Sequence, residues 1–145
     1  MLAAMAQPLY GHLDPVFLAI LDDVQARLRT LFGTENAMTL PLSATGSAGM
    51  EACLCNLLEP GDDAVIGVAG VFGERMSDVA SRIGARVTQV RTEPGTILSD
   101  EAMAAAIERV RPRIVAFVHA ETSTGVCQPV AEIARAAREA GALVV

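Results

Sequence analysis

The fold of the chain is decided by the stretch Pro41-Leu42-Ser43-Ala44-Thr45-Gly46-Ser47-Ala48-Gly49-Met50-Glu51-Ala52. Before its turn, residues 38–42 form a short apolar run that predicts a strand, and residues 48–58 behind the turn are compatible with a helix. A strand–turn–helix joint directs several free backbone N–H groups, and the positive end of the helix dipole, at one place. The stretch therefore predicts a position suited to a phosphate.

Three residues of this turn, Thr45, Gly46 and Ser47, leave room for a ligand to come close. Their side chains are small, and two of them carry hydroxyl donors. The same pattern is compatible with a capped helix start that binds nothing, because it is neither a Walker loop nor the glycine pattern of dinucleotide-binding folds. From the local sequence alone, both interpretations stay open.

Length and composition limit the class of protein. The chain has 145 residues, 52% of them hydrophobic and 19% charged, which is enough for one domain with a core. Its net charge of −6 provides no basic surface for phosphates and disfavours a nucleic-acid partner. No apolar run approaches the roughly 18 residues of a membrane span. Two histidines and scattered acids do not predict a metal site.

The chain contains no lysine, since all 11 basic residues are arginines. Chemistry that needs a lysine amine therefore cannot be performed by this chain alone. The three cysteines are odd in number and not in metal spacing, and no secretory signal pattern precedes them. We expect a reducing, cytoplasmic compartment, with an organelle as the alternative in a eukaryote.

Helix and strand signals alternate about every 20–25 residues, which predicts right-handed βαβ units. The expected fold class is α/β, a three-layer αβα arrangement around a mostly parallel sheet. The predicted helices are 15–32 (between Asp14 and Gly33), 48–58, 74–83, 100–109 and 130–140. The predicted strands are 38–42, 64–68, 86–90 (alternating, as near a sheet edge), 114–118 and 142–145. Because the last strand stops at Val145, we expect the domain to be incomplete.

Ligands of such sheets bind at the carboxyl ends of the strands, where three joints are small or polar: 43–47, 69–73 and 119–125. Phe72 is the only aromatic side chain there, either a platform for a planar ligand or an ordinary core residue. The third joint is rich in hydroxyl groups, and burying these donors is costly unless a ligand or a local turn satisfies them. The alternative interpretation is a turn exposed to solvent.

His119 alternates with Phe117 along the strand, which favours packing of the His119 side chain into the sheet. Together the joints suit a small, planar, phosphorylated cofactor such as pyridoxal 5′-phosphate.

Six motifs follow one another along nearly the whole chain: Gly11-His12-x-x-Pro15, Leu42-Ser43-x-Thr45-Gly46-Ser47-x-x-x-Glu51-Ala52, Leu58-Glu59-Pro60-Gly61-Asp62, Gly70-x-Phe72-Gly73-x-Arg75, Ile83-Gly84-Ala85 and His119-x-Glu121-Thr122-Ser123-Thr124-Gly125-Val126-x-Gln128-Pro129. The last is the most specific. In this order they resemble the large domain of class V, fold-type I aminotransferases, in particular the alanine–glyoxylate and serine–pyruvate (serine–glyoxylate) group.

The resemblance implies pyridoxal phosphate as the cofactor and assigns its binding to the three joints, with the residues Thr45, Gly46, Ser47, Phe72 and Ser123. The first three would hold the phosphate, the aromatic ring would stack on the pyridine, and the serine would hydrogen-bond near the phenolic oxygen. Gly11 would lie at a dimer interface, close to the partner's active site. On this basis residues 1–13 are an N-terminal arm at the interface, and residues 14–145 are part of the large domain, truncated in its fifth strand.

The implied activity transfers an amino group from alanine or serine to glyoxylate or another 2-oxo acid, in a homodimer. The family places its Schiff-base lysine, the Asp that pairs with the pyridine nitrogen and a carboxylate-binding Arg beyond the segment that resembles this chain. We therefore assign no catalytic residue here. We expect the polypeptide alone to be poorly folded and inactive, and the strand 38–42 to lack its sheet neighbours.

Three alternatives remain. A non-catalytic remnant or pseudoenzyme is favoured by the absence of lysine. A class V lyase or desulfurase is mildly disfavoured by the hydroxyl-rich loop at residues 121–125, and no sulfur-handling loop is visible. A nucleotide-binding domain is disfavoured because the first joint lacks the glycine spacing and the next strand lacks a terminal acid.

Overall fold

The computed structural model describes residues Met1–Val145 and divides them into two compact units, Met1–Ser43 and Ala44–Val145. The first unit contains helices α1 (Leu2–Met5) and α2 (Pro15–Phe32). The second contains α3 (Gly46–Leu57), β1 (Asp63–Val68), α4 (Val71–Ile83), β2 (Arg86–Arg91), α5 (Asp100–Val110), β3 (Ile114–Ala116), β4 (Ala120–Glu121), β5 (Val126–Cys127), α6 (Ala131–Glu139) and β6 (Leu143–Val144). The sequence predicts a different division, into an arm at a dimer interface (residues 1–13) and part of the large domain (residues 14–145). That division stays a prediction.

Helix α2 has the ends that its sequence predicts. Asp14 accepts the N–H of Val16 at 2.8 Å, proline occupies the first helical position, and Gly33 ends the helix with φ at 61°. None of its residues is buried, and Leu31 and Phe32 are 77% and 73% exposed. Part of the apolar stripe of this helix is therefore open to solvent.

Residues 38–42 are irregular, so the predicted strand is wrong. No strand of the sheet pairs with them, and Met38, Leu40 and Leu42 are exposed. An extended segment without neighbours has neither ladder hydrogen bonds nor packing, and apolar character alone does not hold it as a strand. The prediction that residues 38–42 lack sheet neighbours is confirmed. Because they have no neighbours, these residues do not form a strand at all.

The second unit is built around a parallel four-stranded sheet with the order β2-β1-β3-β6. In register, Asp63 of β1 lies opposite Arg86 of β2, and Ala64 of β1 opposite Ile114 of β3. Strand β2 lies at an edge, as its alternating pattern predicts. Helices α4, α5 and α6 connect successive parallel strands, so the predicted βαβ organisation is confirmed.

The buried side chains form two clusters, one on each face of the sheet. Alternate residues of β1 and β3 belong to different clusters because strand side chains point to opposite faces. One cluster joins the sheet to α5 and α6 through Val65, Val115, Met103, Ile107 and Ile133. The other joins it to α3 and α4 through Ile66, Ile114, Leu54, Met76 and Ala80. The three-layer αβα architecture is therefore confirmed for this unit.

Three local features differ from the prediction. Helix α4 begins three residues earlier than expected, α1 had no sequence signal, and the polar loop after β3 contains the antiparallel hairpin β4–β5. Gln128, 1% exposed, anchors this hairpin because its Oε1 accepts the buried N–H of Leu98 at 2.7 Å. None of the helices combines the length and apolarity needed to cross a membrane.

The exposed stripe of α2 predicts how the polypeptide of this sequence behaves when it is made alone. It should self-associate, because exposed apolar side chains are covered by other copies. Replacing both Leu31 and Phe32 by Gln should reduce the apparent mass in size-exclusion chromatography with light scattering. The matched pair Gln25→Ser and Thr30→Ser should leave it unchanged, and a wild-type polypeptide that stays monomeric at micromolar concentration would contradict the expectation.

Candidate functional site

Helix α3 begins inside the turn singled out by the sequence. Thr45 is its N-cap and accepts the N–H of Ala48 at 3.3 Å through Oγ1. The N–H groups of Gly46 and Ser47 have no hydrogen-bond partner in the chain. Thr45 and Gly46 are exposed and Ser47 is half-buried. Free N–H groups and the helix dipole make this end of α3 attractive to an anion.

Arg75 of helix α4 adds positive charge beside this turn. Its Nη1 donates to Ser47 Oγ at 3.3 Å. The guanidinium forms no ion pair with a carboxylate, in contrast to Arg82 of the same helix, which pairs with Asp78 at 2.8 Å. Arg75 closes one of the sequence motifs, but the sequence assigned it no role. The structure therefore places an uncompensated cation next to a helix N-terminus.

The N-terminus of α4 is capped by a loop about 50 residues later in the chain. Its N-cap, Gly70, has no side chain to do this. Instead, the N–H of Val71 donates to Ser123 Oγ at 3.1 Å, and the N–H of Phe72 donates to Glu121 Oε2 at 3.2 Å. These two bonds satisfy groups that every helix start leaves free. They connect the second joint (residues 69–73) to the third joint (residues 119–125) at this edge of the sheet.

Gly70 makes this approach possible. A Cβ at Gly70 would lie 2.5 Å from both Glu121 Cδ and Ser123 Oγ. The φ of Gly70 is 175°, extended backbone that any residue adopts, so space and not conformation requires glycine here. Gly73 has a related role, since its Cβ would meet the backbone of β1 at 2.8 and 2.9 Å. Both glycines let the first turn of α4 lie close to its neighbours.

The structure decides between the alternatives that the sequence leaves open for the second and third joints. Phe72 is half-buried and belongs to neither core cluster, so it is not an ordinary core residue. The hydroxyls of the third joint are satisfied by a local turn: Ser123 Oγ donates to Glu121 Oε1, and Thr124 Oγ1 to the Glu121 carbonyl. Their density therefore does not by itself require a ligand.

Both His119 and Gly11 are exposed. His119 is exposed and its Nδ1 lies 2.7 Å from the carbonyl oxygen of Gln128, so the prediction that it packs into the sheet is wrong. The ring instead helps to close the base of the hairpin. Gly11 belongs to the first unit, is exposed, and accepts the N–H of Asp14 through its carbonyl at 3.0 Å. Its expected place at a dimer interface stays a prediction.

An open cleft of about 760 Å³ lies at the carboxyl ends of β1 and β2 and extends to the capping loop. Gly70, Ser123 and Thr124 line one part of it, and the ion pair between Glu74 and Arg91 lines another. Hydrogen bonding from the Arg91 guanidinium holds the pKa of the Glu74 carboxyl below its ordinary value. The carboxyl edge of the sheet, where such folds bind ligands, is thus open and polar.

A family profile described as Aminotransferase class-V matches residues 9–145. The chain belongs to the class-V aminotransferase family. It is 40% identical over 142 residues to (S)-ureidoglycine–glyoxylate transaminase of Bacillus subtilis, which covers 98% of this chain and 34% of that protein. It is 41% identical over 127 residues to alanine–glyoxylate aminotransferase of Drosophila melanogaster, covering 88% of this chain and 32% of that protein.

A solved structure agrees with this assignment. The crystal structure of alanine–glyoxylate aminotransferase from Nostoc sp. matches with a TM-score of 0.92 and 48% identity, covering 99% of this chain and 38% of that one. The chain spans about a third of the length of the curated relatives that it matches. For a class-V aminotransferase, the family implies pyridoxal 5′-phosphate as the cofactor.

The residues present fit one side of this cofactor. Free N–H groups at Gly46 and Ser47, the small side chains of the turn and the arginine without an ion pair, Arg75, suit a phosphate. Phe72 offers an aromatic face outside the core clusters. The chain contains no lysine, so its side chains do not supply the amine that forms a Schiff base with the aldehyde.

Substitution of Gly70 by Ala tests the packing of the capping loop. The new Cβ must displace the buried Glu121 carboxyl, so the free energy of unfolding should fall by about 1–3 kcal/mol. Gly49 of α3 has open space around its Cβ position, and Gly49→Ala should be neutral or stabilising by about 0.5–1 kcal/mol. Urea unfolding of the full-length product of the gene that encodes this chain measures both, and equal effects would contradict the expectation.

Proposed function

We propose that this chain forms the phosphate and ring side of the cofactor site in a pyridoxal-phosphate-dependent glyoxylate transaminase. The observation that carries the proposal is the free N-terminus of α3, with the unpaired Arg75 bonded to Ser47. Membership in the class-V aminotransferases supports it. The relatives from Bacillus subtilis and Drosophila melanogaster are both named for glyoxylate transamination.

Each residue of the site has a distinct task in this proposal. The N–H groups at Gly46 and Ser47 and the hydroxyl of Thr45 bind phosphate oxygens, and the Arg75 guanidinium neutralises part of their charge. Phe72 covers a face of the pyridine ring and excludes water from it. Ser123 hydrogen-bonds near the phenolic oxygen. When bound, the cofactor would supply an aldehyde that takes up the amino group and an electron-withdrawing ring that eases loss of the proton from the substrate α-carbon.

The substrates are small amino acids and 2-oxo acids. Glyoxylate is the acceptor that the names of both relatives share, and the donor is alanine or serine, with (S)-ureidoglycine added by the name of the Bacillus subtilis relative. The working enzyme is a homodimer in which Gly11 and the N-terminal arm lie at the interface. These assignments concern the whole protein, of which this chain provides one part of the site.

A second candidate, a non-catalytic protein, is favoured by one observation, the absence of lysine from the chain. The two candidates differ in what the full-length gene product can do. With pyridoxal phosphate and glyoxylate, the transaminase should form glycine from alanine, serine or (S)-ureidoglycine, with pyruvate as the co-product when alanine is the donor. Glycine production measured by chromatography checks this result.

The control for that assay is the polypeptide of 145 residues alone, which should form no glycine because it has no lysine. Transamination by this polypeptide would contradict the assignment of the lysine to another part of the protein. A full-length product that binds the cofactor but forms no glycine from any of the three donors would favour the non-catalytic candidate.

Arg75→Gln tests the phosphate side of the site. Loss of a charge-assisted contact should weaken binding of pyridoxal phosphate to the full-length apoprotein about tenfold or more, and leave binding of pyridoxal, which has no phosphate, unchanged. Arg82→Gln removes a cation from the same helix that is already paired with Asp78, and should change neither affinity. Equilibrium dialysis with the two ligands measures the effects; equal losses for both ligands in Arg75→Gln would argue against phosphate binding.

A further inference from the structure

Glu121 is a buried carboxylate that no ion pair compensates. It is 1% exposed, and no arginine pairs with it. It lies at the start of helix α4, where its Oε2 accepts the N–H of Phe72 at 3.2 Å. Burying a carboxylate is expensive unless hydrogen bonds hold it. The start of α4 offers what this carboxylate needs, because it has free N–H groups and the positive end of the helix dipole.

Helix α4 differs from its neighbours in how its first turn is held. Helices α3 and α5 are capped by the side chains of their own N-cap residues, Thr45 and Ser99. The N-cap of α4 is Gly70, which has no side chain to accept an N–H. The bond from Phe72 to Glu121 therefore replaces a local cap with one that comes from a neighbouring strand end.

The residue that receives this cap carries the aromatic ring. Phe72 is the second residue of α4, so its N–H has no acceptor inside the helix. Its side chain is half-buried and belongs to neither core cluster, so packing in the core does not fix the ring. The position of the ring depends on the backbone of Phe72, and the backbone N–H is held by Glu121.

Glu121 is itself held firmly on its other side. Its Oε1 accepts from the N–H and the Oγ of Ser123 at 3.3 and 2.5 Å. Gly70 leaves the space for the carboxyl group, since a Cβ there would lie 2.5 Å from Glu121 Cδ. Both oxygens of the carboxylate are thus engaged as acceptors. An amide of the same shape has only one accepting oxygen and does not satisfy both sides.

We propose that Glu121 is a positioning residue for the aromatic face of the site: by accepting the N–H of Phe72, it sets where the ring lies against the pyridine of the cofactor. The inference rests on the proposed function, in which Phe72 covers a face of that pyridine. Glu121 acts through Phe72 and not by contact with the ligand. Its effect should therefore require both the Phe72 side chain and a ring in the ligand.

A double-mutant cycle on the full-length apoprotein tests this. Wild type, Glu121→Gln, Phe72→Ala and the double variant are titrated by equilibrium dialysis with pyridoxal, which has the ring but no phosphate, and with inorganic phosphate, which has no ring. The two donors of Ser123 keep the amide oxygen of Gln on their side, so its N–H₂ faces the N–H of Phe72. We expect Glu121→Gln to weaken binding of pyridoxal about tenfold and of inorganic phosphate less than about twofold. In the Phe72→Ala background, Glu121→Gln should weaken binding of pyridoxal less than about twofold.

Equal losses for both ligands, unchanged binding of pyridoxal, or a full additional loss in the Phe72→Ala background would overturn the inference and leave Glu121 with a purely structural role. Glu132→Gln, at an exposed carboxylate of α6, is the control and should change neither affinity. If Glu121→Gln loses its native circular dichroism, Glu121→Asp replaces it with the same expectation, because its shorter side chain withdraws the carboxylate from Phe72. A wild type that binds neither ligand would instead overturn the proposed function, so the two failures are distinguishable.

Discussion

The capping of helix α4 is the interaction on which the site depends. The helix begins at a glycine that has no side chain, and the N–H groups of Val71 and Phe72 need partners. They find them in Ser123 and Glu121, on a loop that follows the neighbouring strand of the sheet. This arrangement requires β1 and β3 to be adjacent, Gly70 to lack a Cβ, and the hairpin β4–β5 to close the loop. The parallel sheet therefore brings the second and third joints close enough for the side chains of Ser123 and Glu121 to accept the free N–H groups of α4.

A different contact connects the first joint to the same helix. Arg75, one turn after Phe72, reaches Ser47 at the start of α3. Helix α4 thus carries an aromatic ring and a cation at neighbouring positions, with a hydroxyl-bearing loop at its own N-terminus and an anion-attracting helix end beside it. This spatial order, from the anion-attracting helix end to the aromatic ring to the hydroxyl-bearing loop, supports the proposal that the chain forms one side of a pyridoxal-phosphate site.

Local signals in the sequence predict local structure well. Asp14 and Gly33 delimit α2 because capping involves residues a few positions apart. The alternation of helices and strands predicts the parallel sheet because βαβ connections have few alternatives. The sequence also predicts a helix directly after the turn at Thr45, starting at Ala48, two residues after Gly46 where α3 begins.

Features that depend on distant partners could not be read in this way. Residues 38–42 have strand composition, but a strand exists only when it is paired. The early start of α4, the contact of Arg75 and the burial of Glu121 all come from residues far apart in the chain. The only signal for Glu121 was a single acid at the head of the hydroxyl cluster.

The central claim is that the N-terminus of α3 holds the cofactor phosphate. A crystal structure of the full-length protein with pyridoxal phosphate tests it most directly. We expect phosphate oxygens within hydrogen-bond distance of the Gly46 and Ser47 N–H groups, with the Arg75 guanidinium on the same side. A phosphate bound elsewhere, with the N–H groups at the start of α3 facing only solvent, would contradict it.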